Sequence, residues 1–341
     1  MDKKNTNDGN INISTIAKLA NTSVMTVSRV LNNKPDVSKK TRQKVLDVIK
    51  EYNYKPHALA RKLSGGKTGI IGIALYTQGQ PLSGFYVEVL QGVQMELAKN
   101  GHDVLLLAPS PNDEYGRRVV QTNLLDGIVL MGPHTSSHDV FNLREEKFPF
   151  ITIGRRVFDD YTAPFVAPNY ERAFREVVGY AAEKEVTSIS VIIGGLNIDD
   201  TSCFVQDRIR GIKNGMALYG EGRQLSLVSG VSSFEDGYEH FSKLETLPEL
   251  LVLDSSEYSF GAVMALRDRG ITTDGSLQFA GINYENAFMQ RYEDVLGISI
   301  PQWRISWTEL GALAAQDLLS RVTDEEAESI NARYCDFYQQ T

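Results

Sequence analysis

The segment Ile13–Asn32, which reads ISTIAKLANTSVMTVSRVLN, constrains the fold of this chain more than any other stretch. Its apolar residues recur at helical spacing in two short runs. The pair Asn21-Thr22 between the runs favours a tight turn, because Asn tolerates a left-handed backbone. Asn12 and Ser23 stand where each helix would begin, and their side chains can cap the free N–H groups there. The pattern therefore predicts two short helices joined by a tight turn.

A third helix is predicted to complete this small unit. Ser38 can cap it, and one of its faces carries the apolar residues Val45, Val48, Ile49 and Tyr52. A compact helix pair of this kind lays its second helix into the major groove of DNA. We therefore expect residues 12–55 to be a helix-turn-helix DNA-binding domain, preceded by a disordered tail over residues 1–11.

The charges of the chain are divided unevenly. Residues 1–67 contain 14 Lys and Arg against five Asp and Glu, whereas residues 68–341 contain 21 against 38, and the net charge is −8. A basic segment in front of an acidic body indicates a polyanionic partner for the amino-terminal part alone.

Residues 56–67 are predicted to be a hinge helix and linker. Pro56 can begin a short helix because its missing N–H is not needed in the first turn, and Ser64-Gly65-Gly66 would end it. A helix this short is unstable alone in water, so it needs a partner to hold it.

The rest of the chain alternates strand-like and helix-like patterns. Helical patterns separate most of the apolar runs, which are Ile70–Leu75, Val104–Ala108, Gly127–Met131, Phe150–Ile153, Ser190–Ile193, Leu225–Val228, Leu250–Leu253, Leu277–Gly281 and Leu296–Ile300. Such alternation is typical of α/β folds with parallel sheets covered by helices. At least nine strands over this length predict two Rossmann-like subdomains with a cleft between them.

The predicted boundaries follow from these runs. The body covers residues 68–323, with a first subdomain of about 68–166 and 302–323 and a second of about 167–298. The polar residues 324–341 are expected to be a partly loose C-terminal tail.

Composition argues against several other classes. No run of about 18 apolar residues occurs, so no membrane span is expected. The first twenty residues lack the apolar core of a signal peptide, which predicts that the chain is not exported. The two cysteines, Cys203 and Cys335, lie far apart, which favours a reduced cytoplasmic protein without disulfides.

The sequence offers no convincing catalytic or metal site. Gly66-Lys67-Thr68 resembles the end of a phosphate-binding loop, but Arg61 stands where that motif needs a glycine. His134 and His138 lie four residues apart in a Pro/Ser-rich stretch without a cysteine nearby. We therefore expect no enzyme activity, no metal and no cofactor.

Three stretches in the amino-terminal part resemble the LacI/GalR family of bacterial repressors. Residues 20–32 are similar to the family's AGVSxxTVSRVLN, and residues 37–45 match VSxxTRxKV. Residues 52–63 are similar to the family's hinge pattern, LGYxPNxxAR-L. In the body, the stretch PFITIGR over residues 149–155 falls where the family has a similar element. The resemblance covers nearly all of residues 12–322.

The resemblance implies that Val24, Met25 and Arg29 read bases in the major groove. Arg29 can donate two hydrogen bonds to a guanine, whereas Val24 and Met25 offer apolar contact. Short polar side chains are expected to hold phosphates, which positions the protein without reading sequence; these are Ser23, Thr26, Ser28, Asn32 and Thr41. For Ser23, helix capping remains an equal alternative.

The resemblance also implies a role for the hinge in the minor groove. Family hinge helices pair across a dimer and wedge a leucine between bases, and Leu63 matches that position, with Ala60 beside it. The alternative for Leu63 is ordinary packing against its dimer mate.

The body resembles the periplasmic-binding-protein fold, which implies a ligand between the subdomains. Arg208 aligns with an arginine that holds a ligand hydroxyl or carboxylate; the alternative is a salt bridge to Asp207 or Asp254. Phe85 and Tyr86 match aromatic positions that flank the cleft, although helix-core packing is equally open for Tyr86. The other expected effector contacts are Asp254, Ser256, Asn283 and Trp303.

Two departures from the family pattern concern this cleft. Ser255-Ser256 stands near the place of a usual Asn-Asp pair, and Gly281-Ile282-Asn283-Tyr284 replaces the usual GxDD. The long stretch between Gln302 and Gly311 contains both tryptophans, Trp303 and Trp307, and either could form an aromatic wall.

The resulting hypothesis is a transcription regulator of the repressor type. It would bind near-palindromic, double-stranded operator DNA as a homodimer and respond to a small-molecule effector, a sugar or sugar derivative. The alternative is a cytoplasmic ligand-binding protein, or a regulator that has lost its effector response.

Overall fold

A computed structural model describes residues 11–31, 34–52, 54, 67–77, 84–109, 115–132, 134–158, 161–193, 203–230, 233–271, 277–283, 286–323 and 332–340. The head has helices α1 Ile13–Leu19, α2 Val24–Leu31 and α3 Lys39–Glu51. The body has helices α4 Gly84–Lys99, α5 Tyr115–Thr122, α6 Ser137–Glu145, α7 Tyr170–Glu183, α8 Cys203–Tyr219, α9 Phe234–Lys243, α10 Glu257–Asp268, α11 Asn286–Leu296 and α12 Trp307–Thr323.

The strands among the described residues lie in the body. They are β1 Ile70–Leu75, β2 Asp103–Leu107, β3 Gly127–Met131, β4 Phe150–Ile153, β5 Val157–Phe158, β6 Tyr161–Thr162, β7 Phe165–Pro168, β8 Ser188–Ile192, β9 Gln224–Val228, β10 Leu250–Asp254, β11 Gln278–Asn283, β12 Gln302–Arg304, β13 Ala332–Cys335 and β14 Tyr338–Gln340.

The head forms because its helix ends are capped and its apolar residues meet. The Thr15 N–H donates to the Asn12 side chain at 3.0 Å, and the Thr41 N–H donates to the Ser38 hydroxyl at 3.2 Å. Asn21 takes φ = 48°, the left-handed conformation that the turn requires. The buried core consists of Ile16, Ala17, Ala20, Val27, Val30, Val45 and Tyr54.

Two six-stranded sheets build the described part of the body. The first has the order β13-β7-β4-β3-β1-β2 and the second β14-β12-β11-β10-β8-β9. Their pairings are parallel except for β12 with β14, which is antiparallel. Central strands β3 and β10 are buried at every position because helices cover both faces of each sheet. The predicted α/β architecture, a small helical head with two parallel-sheet subdomains, is confirmed.

The helices pack closely through glycines. A Cβ on Gly92 of α4 would lie 1.9 Å from the Thr308 carbonyl oxygen of α12, and one on Gly311 of α12 would lie 2.2 Å from the Val89 carbonyl oxygen. Only residues without a side chain permit this approach of the two backbones. The α4–α12 pair covers the first sheet.

The chain crosses between the sheets three times within the described residues. It leaves the first sheet after β7, leaves the second after β12, and passes from β13 to β14 through only Asp336 and Phe337. The crossings contact one another: the Asn169 N–H donates to the Cys335 carbonyl at 2.9 Å, and the Asn169 side chain donates to Asp336 at 2.7 Å. These contacts form a hinge between the subdomains.

Several boundaries differ from those expected. The run Leu296–Ile300 is not a strand: α11 ends at Leu296, and Gly297, with φ = 68°, turns the chain away. The strand follows at Gln302–Arg304 and joins the second sheet, so the start of the 302–323 segment does not belong to the first subdomain.

The C-terminal tail is also more ordered than expected. Ala332–Cys335 joins the first sheet and Tyr338–Gln340 joins the second. Both are short edge strands: β14 is exposed throughout, and β13 is exposed at two of its four residues. Neither contains an apolar run, so pairing partners far away in the chain decide their structure. Of the described residues, none form a helix with the length and apolar character that a bilayer crossing requires.

Gly92→Ala should separate α4 from α12, because the new methyl group would overlap the Thr308 carbonyl oxygen. We expect the free energy of unfolding to fall by about 1–3 kcal/mol. Thermal unfolding followed by circular dichroism measures it. Lys213→Ala, at an exposed position of α8, is the control and should change stability by less than about 0.5 kcal/mol. Equal midpoints for the two variants would contradict the close packing.

Candidate DNA-binding surface and ligand cleft

Helix α2 presents an exposed face beside its buried one. Val27 and Val30 point into the core of the head, whereas Val24 and Met25 are 42% and 65% exposed. Arg29 lies one turn after Met25 and is also exposed. The three residues predicted to read bases therefore share an accessible surface on one helix.

The predicted phosphate contacts lie near the helix starts. The Ser23 hydroxyl accepts the Thr26 N–H at 3.1 Å and lies 2.9 Å from the Thr26 hydroxyl, so Ser23 caps α2. Thr41 makes the same two contacts with Ser38 at the start of α3. Ser28 is half-buried on α2. These hydrogen bonds use part of the hydrogen-bonding capacity of each hydroxyl. They also hold the side chains at the helix amino termini, where free N–H groups attract anions.

Arg29 has an internal ionic partner. Its guanidinium lies 3.1 Å from the Asp36 carboxylate, in the stretch that leads to α3, and both side chains are half exposed. An exposed pair of this kind contributes about 0–1 kcal/mol. DNA phosphates or a guanine edge can therefore displace Asp36 at small cost.

Four predicted contacts cannot be placed as side chains. Asn32, Ala60 and Leu63 lie outside the described residues. Asn283 ends β11 in register with Arg304, but its side chain is outside the description. Their roles stay predictions.

Residues that follow the carboxyl ends of strands in the first sheet contact residues of the second subdomain, as the Arg155–Asp207 ion pair shows; we call the space between them the cleft. Gly154, Arg155 and Arg156 follow β4 in the first subdomain, and Asp254 ends β10 in the second. Ligands of parallel α/β sheets bind at this end of the strands. The side chains here therefore form the candidate effector site.

An ion pair joins the two subdomains across the cleft. Arg155 donates to both carboxylate oxygens of Asp207 on α8, at 3.1 and 2.5 Å, and Arg210 lies 3.3 Å from the same group. The hydrogen bonds that Asp207 accepts from Arg155 raise the pKa of Arg155. Asp207 is therefore committed to Arg155 and Arg210 rather than to a salt bridge with Arg208.

Arg208 lies buried at the cleft, with only 8% of its surface exposed. Its guanidinium carbon stands 4.6 Å from the ring centroid of Tyr170 and 5.8 Å from that of Phe204. Stacking on aromatic faces is a favourable environment for a planar cation. The guanidinium of Arg208, the arginine predicted to bind the effector, therefore lies close to the rings of Tyr170 and Phe204.

Arg156 is a second cation at the cleft that sequence reasoning missed. It donates to the carbonyls of Arg155, at 3.2 Å, and Gly132, at 2.7 Å. Burial lowers its pKa, while nearby Cys203, Tyr86 and Tyr170 act in the opposite direction.

Phe85 and Tyr86 begin α4 beside this group. Their ring centroids are 4.2 Å apart, and Phe85 also lies 5.0 Å from the Trp307 ring. Burial raises the pKa of Tyr86, and Arg156 lowers it. Tyr86 is half-buried against the core and close to Arg156, so it combines packing with a position at the cleft.

Asp254 and Ser256 are held by internal hydrogen bonds. The hydroxyls of Ser256 and Ser259 donate to one Asp254 oxygen at 2.5 and 2.6 Å. Burial raises the pKa of Asp254 against these bonds and against the attraction of Arg208. Ser256 also caps α10 by accepting the Ser259 N–H at 3.1 Å. Both side chains lie at the cleft edge, where they stabilise the start of α10.

The placement of Trp303 does not support its predicted role as a cleft wall. It is 1% exposed, packs edge-on against Tyr180, and donates its indole N–H to Glu176 at 3.2 Å. These partners belong to α7, so Trp303 fills the interior of the second subdomain. Trp307 is the tryptophan that lies near the aromatic residues Phe85 and Tyr86.

The missed residues could have been found from strand ends. Arg155 and Arg156 follow the apolar run of β4 after Gly154, and Tyr170 follows β7. Side chains just beyond the carboxyl ends of parallel strands are candidate ligand contacts. Within the described residues, no group of three His, Cys, Asp or Glu side chains is arranged to hold a metal ion.

Comparison with known proteins agrees with this architecture. The model of the bacterial regulatory proteins of the lacI family matches residues 12–57, and that of periplasmic binding proteins and sugar binding domain of the LacI family matches residues 69–341. Catabolite control protein A of Staphylococcus epidermidis is 27% identical over 331 residues, covering 94% of this chain and 95% of its own length.

Solved structures show the same fold. The lac repressor dimer bound to operator and the anti-inducer ONPF is 17% identical, with a TM-score of 0.72 and 98% of each chain covered. The transcriptional regulator CelR–cellobiose complex is 19% identical, with a TM-score of 0.65, and covers 97% of this chain and 98% of its own. The chain therefore belongs to the LacI family of bacterial regulatory proteins, as a DNA-binding transcription regulator with a body of the sugar-binding type.

Proposed function

We propose that this chain is a repressor whose affinity for operator DNA is set by a sugar-like effector in the cleft of the body. It acts in the bacterial cytoplasm, where the chromosome lies. The observation that carries the proposal is the exposed face of α2, on which Val24, Met25 and Arg29 stand beside capped helix starts. Arg29 supplies the hydrogen-bonding readout, and the two apolar residues contribute contacts such as those to thymine methyl groups.

A homodimer on a near-palindromic operator fits the small size of the head. One reading helix covers a single half-site, and two-fold protein symmetry supplies the second. Helix α4 offers an uncharged outer face for the pairing, on which Val87 is 57% and Met95 46% exposed, with exposed Gln91 between them. Exposed apolar residues on one face are typical of an interface.

The effector proposal rests on the cleft and on relatives. Structural neighbours include a regulator in complex with cellobiose and a lac repressor bound to ONPF. In this chain, buried Arg208 and the rings of Tyr86, Tyr170 and Phe204 combine a cation with aromatic surfaces. Aromatic faces with a few placed polar groups are typical of a small-molecule site.

Arg29→Ala should remove base readout while leaving the fold of the head intact, because Arg29 is exposed. On duplexes selected by the full chain from a random pool, we expect specific affinity to fall about 10–100-fold, in line with about 1–3 kcal/mol for a bidentate contact. Fluorescence anisotropy at fixed salt measures the Kd for selected and scrambled DNA.

Lys18→Ala is the matched control, since it removes one head charge from α1. It should weaken both DNAs equally and preserve the ratio of the two Kd values. If Arg29→Ala also preserves this ratio, α2 does not read sequence through Arg29.

Asp36→Asn should strengthen DNA binding. It removes the internal partner of Arg29 and a negative charge near the phosphates, so we expect a gain of up to about fivefold at low salt, the size of an exposed ion pair. Asp47→Asn, on α3, removes the same charge from the head without touching Arg29. A gain of equal size in both variants would show that only net charge matters.

A further inference from the structure

A cavity of the second subdomain lies outside the cleft. Its volume is about 470 Å³, within the range of about 300–1,000 Å³ that is typical of small-molecule sites. It is lined by one face of α7, by Tyr219 at the end of α8, and by Trp303 and Gln339 of the paired strands β12 and β14. None of the cleft residues described above lines it, so the cavity is a separate candidate site.

Gly179 lies inside α7 at this cavity, although helix packing does not require a glycine there. A Cβ on Gly92 or Gly211 would lie 1.9 or 2.4 Å from a backbone oxygen of a neighbouring helix, so those glycines permit close backbone contact. A Cβ on Gly179 would instead lie 3.4 Å from its nearest neighbour, the Tyr219 ring, which is an ordinary contact distance. Glycine destabilises a helix interior relative to alanine. Gly179 thus costs stability and leaves open space in the cavity.

Two opposite charges flank Gly179. Arg175 lies one turn before it and Glu183 one turn after it, so the three residues share one face of α7. Eight residues of helix separate the two charged residues by about 12 Å along the axis. Within the described part of the chain, neither side chain makes an ion pair or a hydrogen bond. The cavity therefore has an unpaired cation towards one end and an unpaired anion towards the other.

The other carboxylate at the cavity, that of Glu176, is already occupied. It accepts a hydrogen bond from the Arg172 guanidinium at 2.7 Å and another from the Trp303 indole N–H at 3.2 Å. Arg175 and Glu183 are therefore the charged groups that this lining can offer to a ligand.

Tyrosine rings supply much of the remaining surface. Tyr180 packs edge-on against Trp303, with ring centroids 5.6 Å apart, and the Lys184 ammonium lies 5.5 Å from the Tyr180 centroid. Tyr219 is 43% exposed, and its ring lies beside Gly179. The Tyr219 ring is therefore a flat surface on which a planar group can stack.

We propose that this cavity binds a zwitterion with a planar ring, the chemistry of an aromatic amino acid. The ligand carboxylate pairs with Arg175, its ammonium group pairs with Glu183, and its ring lies on Tyr219. Because Gly179 has no side chain, the flexible side chains of Arg175 and Glu183 can converge on a ligand above it. A ligand with one charge would leave one of these groups unpaired. This site goes beyond the proposed effector site and does not depend on it.

Thermal unfolding of the full chain tests the proposal. The probes are L-phenylalanine, L-tyrosine and L-tryptophan. Each is compared, at equal concentration, with the amine that lacks its carboxylate and with the propionate that lacks its ammonium group. We expect at least one of the three amino acids to raise the unfolding midpoint, and its amine and propionate to raise it less.

Charge variants locate the effect in the cavity. Arg175→Gln should remove the advantage of the amino acid over the amine, because the carboxylate loses its partner. Glu183→Gln should remove the advantage over the propionate for the corresponding reason. Glu185→Gln is the control, since it neutralises an exposed carboxylate that does not line the cavity, and it should keep the full shift.

Gly179→Ala tests the open space directly. It should raise the midpoint of the unliganded chain by about 1–3 °C, because alanine favours the helix and its methyl group has room. The same methyl group should reduce the shift that the amino acid causes. Gly211→Ala is the comparison and should lower the midpoint, because its Cβ would lie 2.4 Å from the Glu171 carbonyl oxygen.

Four results would overturn the proposal. In the first, none of the three amino acids raises the midpoint; in the second, the amines and propionates raise it equally. In the third, Arg175→Gln and Glu183→Gln keep the full shift, which would place the ligand elsewhere. In the fourth, Gly179→Ala lowers the midpoint of the unliganded chain, which would show that packing requires this glycine.

Discussion

The contacts of Asp336 hold together the hinge on which the body depends. Asp336 sits in the two-residue link between the sheets, accepts a hydrogen bond from the Asn169 side chain at 2.7 Å, and pairs with Arg172 at 2.5 Å. Nearby, the rings of Tyr170 and Phe337 lie 5.8 Å apart. The first crossing is thus bound to the last, at the line where the two subdomains join.

The hinge contacts continue into the cleft through Tyr170. Tyr170 packs on Phe337 at the hinge and also carries the guanidinium of Arg208 on its face. A ligand that contacted Arg208 would therefore lie close to the hinge. The ion pair between Arg155 and Asp207 also joins the two subdomains. The hinge contacts and the Arg155–Asp207 ion pair are therefore the two interactions through which we propose that a bound small molecule acts on the body.

Much of this organisation could be predicted from the sequence, because local signals agree with the fold. The caps at Asn12 and Ser38 and the left-handed Asn21 follow from short-range chemistry, and the buried strands β3 and β10 are continuous apolar runs. Edge strands are different. β13 and β14 are short and contain no apolar run, so only long-range pairing reveals them. The end of α11 resembles a strand until Gly297 turns the chain.

The candidate site was predictable only in part for the same reason. The family resemblance selected Val24, Met25 and Arg29 in advance, and helical periodicity accounts for their exposure on α2. Partners in the cleft come from separate stretches of chain, and periodicity does not tell which carboxylate meets which arginine. Within the described part of the chain, Arg155 pairs with Asp207, Arg156 donates to two backbone carbonyls, and Trp303 donates to Glu176 in the interior. Such pairings depend on tertiary geometry.

The central claim is that the conformation of the cleft controls the affinity of the head for DNA. Removing the ion pair between Arg155 and Asp207 tests this claim directly. The measurement is the Kd of full-length Asp207→Asn for selected DNA at fixed salt, compared with wild type and with Asp268→Asn, which removes an exposed carboxylate far from the hinge. The account predicts that Asp207→Asn shifts the Kd by at least about fivefold, the lower range of allosteric coupling, with nonspecific binding unchanged. Equal Kd values for the three proteins would contradict it.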